Sequence, residues 1–292
     1  SDPDNPDAYY LRGQLLAQMG LTVQAFEDFN RSWSLGSRTP PLFAARGRVA
    51  QELDRYDEAR ANFAQALLLD SENALYHAYR ADLKRSVGEF LEAGLDLALA
   101  TRLDPELFET YHIRGLLSHD QGQFQKAIRD FDHAISLDPE RTEAYISRAK
   151  TYQQLGKNQR AFQDLDRAIS LNPLLAETHL ARGQAHLALD QSEAAVIDLK
   201  ESVMLNPNNW MNHRYLGEAY MQSSRPEAAL DPLLASLRIT QDPDASLVWR
   251  TVRSAETLYL LGQSYRDLGR HEKAARALEQ ALVLDHLASW AP

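Results

Sequence analysis

The sequence predicts an all-α protein, an α-solenoid of about eight helix-turn-helix hairpins, on three observations. The first is a period. LDS at 69–71, LDP at 103–105 and 137–139, and LNP at 171–173 and 205–207 recur every 34 residues, with no insertion or deletion between them. The second is spacing, because inside each period the apolar residues follow a helical rhythm, break at a turn and resume it. The third is composition. Thirteen glycines and 12 prolines in 292 residues are few for a loop-rich chain, and 44% apolar content is enough for a core.

Extended along the chain, the register gives repeats at 6–39, 40–73, 74–107, 108–141, 142–175, 176–209 and 210–243, read as a single array over 1–292. An eighth repeat, 255–288, fits the frame only if the 11 residues 244–254 are an insertion before it. Eleven residues make three helical turns at about 3.67 per turn, so the insertion is expected to extend the first helix of the last repeat without changing its facing. One helix from near Asp244 through Tyr265 follows, with Trp249 and Val252 carried beyond the stack, either as a protruding partner site or as a cover for the exposed flank of the seventh repeat.

The fourth repeat shows the design of the others. ETYHIRGLLSHDQ forms a first helix, Gly122 breaks it, and FQKAIRDFDHAISL forms a second helix that stops at Asp138-Pro139, where proline cannot continue a helix. Small residues recur where the two helices must approach: Gly13, Gly47, Ala81, Gly115, Ala149, Gly183, Gly217 and Gly262 in the first, and Ala25, Ala59, Ala93, Ala127, Ala161, Ala195, Ala229 and Ala274 in the second. Phe29, Phe63, Leu97, Phe131, Leu165, Leu199, Leu233 and Leu278 supply the matching bulk.

In period, hairpin length, small and bulky positions and closing proline, nearly the whole chain resembles the tetratricopeptide repeat (TPR) family. The resemblance implies a right-handed superhelix whose first helices line a concave groove for a peptide or partner helix. It also implies a non-catalytic interaction scaffold, or alternatively the recognition arm of a larger enzyme whose catalytic domain lies outside these residues. Some family members grip a C-terminal carboxylate with lysine and asparagine at the fifth and ninth slots. Here the fifth slots read Tyr10, Ala44, Ala78, His112, Ile146, Leu180, Arg214 and Tyr259, and no ninth slot holds asparagine.

The seventh slot holds arginine in six repeats: Arg12, Arg46, Arg80, Arg114, Arg148 and Arg182. Sixteen residues later stand Asp28, Asn62, Asp96, Asp130, Asp164 and Asp198. In the last two repeats both change together, to Leu216 with Pro232 and Leu261 with Ala277. Joint loss is the mark of groups that meet, since a lone buried charge is costly and an apolar pair is tolerated. The reading is a structural ladder in preference to an anion-binding stripe.

Groove-facing slots two, five, nine, twelve and thirteen carry the cations Arg48, Arg85, Lys150, Arg214 and Arg266 amid more numerous acids, among them Glu218. With His112 and Trp249 these are the candidate partner-binding residues, and Arg85 and Lys150 are expected to be solvated. The acidic surplus favours a peptide of basic or mixed charge. The net charge of −10 argues against nucleic acid. No apolar run approaches the roughly 20 residues that span a bilayer. Without cysteine there is no disulfide or thiolate chemistry, and the compartment stays open with the cytoplasm favoured. His112 and His119, seven apart on one helix, lack a third metal ligand, and no catalytic constellation or phosphate loop fits the repeats, so neither cofactor nor catalysis is expected. Asn30-Arg31-Ser32 is a sequon expected to be buried in a helix by chance. Neither end carries a polar cap, and Asp2-Pro3 falls in register with the closing turns, so a fragment of a longer protein or self-association through the ends is expected.

Overall fold

The computed structural model describes residues 4–240 and 247–288, with side chains described outside 247–253 and 285–288. It resolves two compact units, Ser1–Pro139 and Glu140–Pro292. Among the described residues every regular element is an α-helix.

The first unit holds four hairpins: α1 (Pro6–Gln18) with α2 (Thr22–Ser34), α3 (Pro40–Glu52) with α4 (Tyr56–Leu69), α5 (Ala74–Ser86) with α6 (Phe90–Leu103), and α7 (Phe108–Asp120) with α8 (Phe124–Leu137). The second holds α9 (Thr142–Gln154) with α10 (Asn158–Leu171), α11 (Ala176–Leu187) with α12 (Ser192–Leu205), α13 (Trp210–Gln222) with α14 (Pro226–Thr240), and α15 (Leu247–Asp267) with α16 (His271–Ala288). At 21 residues α15 is one continuous helix, longer than any other first helix. Residues 244–246 and the side chains of Trp249 and Val252 lie outside the described residues, so nothing is placed around Trp249.

Each turn is set by one backbone position. Gly20, Asp54, Gly88, Gly122, Gly156, Asp190, Ser224 and Gly269 all have φ between 56° and 81°, the left-handed region that ends a helix and reverses the chain. Glycine takes it freely; Asp54, Asp190 and Ser224 pay the steric cost of a Cβ there.

Hairpins close on the small and bulky positions. A Cβ on Gly13, Gly47 or Gly115 would lie 2.7, 2.8 or 2.5 Å from the ring of Phe29, Phe63 or Phe131, so the ring occupies the space that a side chain would need. Leu97 and Leu165 face the fully buried Ala81 and Ala149, whereas Leu199, Leu233 and Leu278 face Gly183, Gly217 and Gly262, where a Cβ would again lie only 2.5–2.6 Å away.

Within each unit successive first helices touch: α1 with α3, α3 with α5 and α5 with α7, then α9 with α11, α11 with α13 and α13 with α15. Successive second helices of the same unit do not. The stack of each unit is therefore tighter on its first-helix side. No described helix is long and apolar enough to cross a membrane.

Candidate protein-binding face

The ladder forms as hydrogen-bonded ion pairs inside the hairpins. Nε and Nη2 of Arg12, Arg80, Arg148 and Arg182 donate to both carboxylate oxygens of Asp28, Asp96, Asp164 and Asp198 at 2.6–2.9 Å. Arg114 reaches Asp130 Oδ1 with the same two nitrogens at 3.1 and 2.6 Å. Asp96 also accepts from Lys84 at 2.9 Å. Burial, the largest single influence on Asp96, pushes its carboxyl up, but the bonds and charges of Arg80 and Lys84 together outweigh it and hold the group below the ordinary aspartate range. In the last two repeats Leu216, Pro232, Leu261 and Ala277 are buried, so hydrocarbon fills the place of the pair. These arginines are consumed by the scaffold.

The groove cations are less free than their slots suggest. Arg85 is not solvated: its side chain is only 19% exposed, its guanidinium meets Asp82 Oδ1 at 2.8 Å, and Nη1 donates to Asp120 of the next first helix at 2.6 Å. Gln51 on the preceding first helix donates to the other Asp82 oxygen at 2.9 Å, so α3, α5 and α7 are stitched by one polar chain. That corrects the solvated reading, which had no way to count acids 35 residues away. Lys150 is half exposed, as expected, with Nζ 3.4 Å from Glu177. Arg48 lies 3.8 Å from Glu52 and stacks over Tyr79, and Arg266 is exposed beside Asp267. His112 packs between the rings of Phe108 and Phe131, whereas His119 packs edge-on against Phe124, so the two histidines face different aromatic partners. No cluster of three or more metal-ligating side chains occurs among the described residues.

A second polar group on this face lies in the second unit. Arg214 is 13% exposed, stacks over Tyr215 at 4.0 Å, and stands 3.4 Å from Glu218 and 3.5 Å from Glu256. Its buried Nε–H makes no hydrogen bond. Burial pushes the Glu218 carboxyl above its ordinary range, with Arg214 pulling it down and the neighbouring Glu256 charge pushing it further up. Glu52 in the first unit is raised the same way, by burial against the pull of Arg48. Sequence reasoning found Arg214, Glu218 and Glu256 singly as groove-facing charges; Glu256, 42 positions from Arg214, meets it only through stacking.

The first and last described helices carry apolar side chains in water: Leu11 and Leu15 on α1, with Met19 at its C-cap, and Leu282 and Val283 on α16. Val49 and Leu83, at the register position of Leu15, are buried by the hairpin before them.

Sequence profiles of the tetratricopeptide repeat match residues 40–73, 142–173 and 255–286, with related TPR profiles over 115–156 and 180–246. The chain belongs to the tetratricopeptide repeat family. No curated protein sequence matches it. Among solved structures it is similar to the Cut9–Hcn1 hetero-tetramer of the APC/C, at 17% identity and a TM-score of 0.66, with 96% of this chain covering 66% of that one. It is also similar to a human IFIT1 dimer with PPP-AAAA, at 18% identity and 0.57, covering 94% of this chain and 81% of that one. MamA, at 21% identity and 0.50, covers 61% of this TPR chain and 97% of its own. The chain thus spans just under two thirds of the Cut9–Hcn1 chain that it matches, and at these identities the likeness is one of fold.

Proposed function

We propose that this TPR array is a non-catalytic scaffold whose first-helix face binds a peptide or partner segment of basic or mixed charge. The observation that carries the reading is the group at Arg214. Two carboxylates share one arginine, the Glu218 carboxyl is held up by burial and by its neighbour's charge, and the Arg214 Nε–H, 3.5 Å from Glu256 Oε2, makes no hydrogen bond. A ligand with a lysine or arginine beside a backbone carbonyl answers both needs at once, giving a countercharge to the carboxylates and an acceptor to Nε–H. Arg85, already neutralised by Asp82 and Asp120, contributes rigidity to the face instead of charge. Lys150, Glu177 and Arg266 are the exposed charges that an alternating partner can pair with.

The test is binding of a labelled lysine-rich peptide to the double variant Glu177→Gln, Glu256→Gln. Removing two exposed carboxylates should weaken it about threefold to tenfold with helicity intact. A control that removes the same charge from second helices, Glu27→Gln with Glu92→Gln, should leave binding unchanged. Equal loss in both variants would mean that the peptide responds only to net charge and the face is not the site.

A further inference from the structure

The second rung of the ladder breaks its rule. Five ladder arginines hold an aspartate of their own hairpin, but Arg46 meets two neutral amides: Nε donates to Asn30 Oδ1 at 2.7 Å and Nη1 lies 3.4 Å from Asn62 Oδ1. Among the described residues no carboxylate pairs with Arg46, and its Nη2 donates no hydrogen bond. Glu58, the acid whose charge it feels, is drawn off toward Arg55 at 3.7 Å. Arg46 stacks over the Trp33 ring at 5.0 Å, and a second cation, Arg38, stacks over the same ring at 4.7 Å. The two guanidiniums, with Trp33, Phe43, Asn62 and Gln65, line an open cavity of about 290 Å³. Burial and the like charge of Arg38 both disfavour the cation on Arg46, which stays charged nonetheless.

We propose that this cavity is a second binding site, outside the groove slots, for a side-chain carboxylate of an acidic peptide. The class of ligand follows from the sibling rungs. The same seventh-slot arginine binds a carboxylate in each of the other five, so the second rung presents a carboxylate-binding arginine from which the internal carboxylate is missing. Arg38 adds a countercharge at the mouth, the 39% exposed indole of Trp33 offers an apolar wall for the ligand's methylenes, and the amide of Gln65 can bond a peptide group. Asn30 of the sequon is thereby explained as well, as a structural acceptor inside α2.

The probe is a capped, labelled hexaglutamate, with capped hexaglutamine as its uncharged counterpart. Because the protein carries a net charge of −10, a polyanion gains nothing from the surface at large and binds only at a local cationic site. The wild type should bind hexaglutamate more tightly than hexaglutamine and shift the Trp33 indole N–H resonance. Asn62→Asp supplies the missing carboxylate from within and should weaken hexaglutamate binding about tenfold or more with no fall in thermal midpoint. Arg46→Gln should weaken it equally, and Arg48→Gln, an arginine outside the cavity, should leave it unchanged. If Asn62→Asp lowers the midpoint through the lost Asn62 Nδ2 bond to the Glu58 carbonyl, Arg46→Gln and the indole shift decide. Equal affinity for the two peptides in the wild type, or hexaglutamate binding undiminished in Arg46→Gln, overturns the proposal.

Discussion

Replacing Arg148 by leucine isolates what a rung of the ladder is worth. The Arg148 side chain is 17% exposed and Asp164 is 9% exposed, with two hydrogen bonds at 2.7 and 2.8 Å joining them. Leucine removes both donors and leaves a carboxylate with little access to water, a loss of about 3–5 kcal/mol for a buried pair broken on one side. Arg12 gives the contrast: it is 63% exposed against 8% for Asp28, so its removal opens Asp28 to solvent and should destabilise far less than the loss of Arg148. Arg148→Leu combined with Asp164→Leu should return near the wild type, because Leu216 and Leu261 already show hydrocarbon buried in that slot. The assay is native-state hydrogen exchange at the amides of α9 and α10, which reads local stability even where a repeat array does not unfold in one step. Single losses that simply add in the double variant would refute the reasoning, since the two groups would then be independent.

Two further outcomes are expected. Gly115→Ala should lose about 1–3 kcal/mol, because its Cβ would stand 2.5 Å from the Phe131 ring, whereas Gly94→Ala on α6, where a Cβ would meet nothing within 4 Å, should not destabilise; urea unfolding measures both. Asp96 is lowered in the folded state, so its stabilisation is present above the ordinary aspartate range and lost as pH falls through the lower folded value. Asp96→Asn should therefore flatten the acid limb of a plot of melting temperature against pH, and an unchanged acid limb would remove Asp96 from the account.

How much was legible follows the range over which each feature is decided. Hairpins, turn slots and the Gly and Phe pairs were visible because each depends on residues within one repeat, and repetition displayed the same solution many times. The ladder was visible for the same reason: partners 16 residues apart on antiparallel helices of one hairpin keep their spacing wherever the hairpin recurs. Its one exception, Asn62, could also be read, yet not its meaning, since the cavity walls come from the end of α2, the loop after it, α3 and α4.

The sequence by itself determined an all-α array of TPR hairpins and the internal consumption of most of its seventh-slot arginines. Tertiary structure alone decided which charges remain available. Arg85 meets Asp120 and Arg214 meets Glu256 only because successive first helices pack at a particular offset, and that offset is the sum of many side-chain contacts between hairpins. A period of 34 residues states that neighbours stack; it does not contain the angle at which they do so.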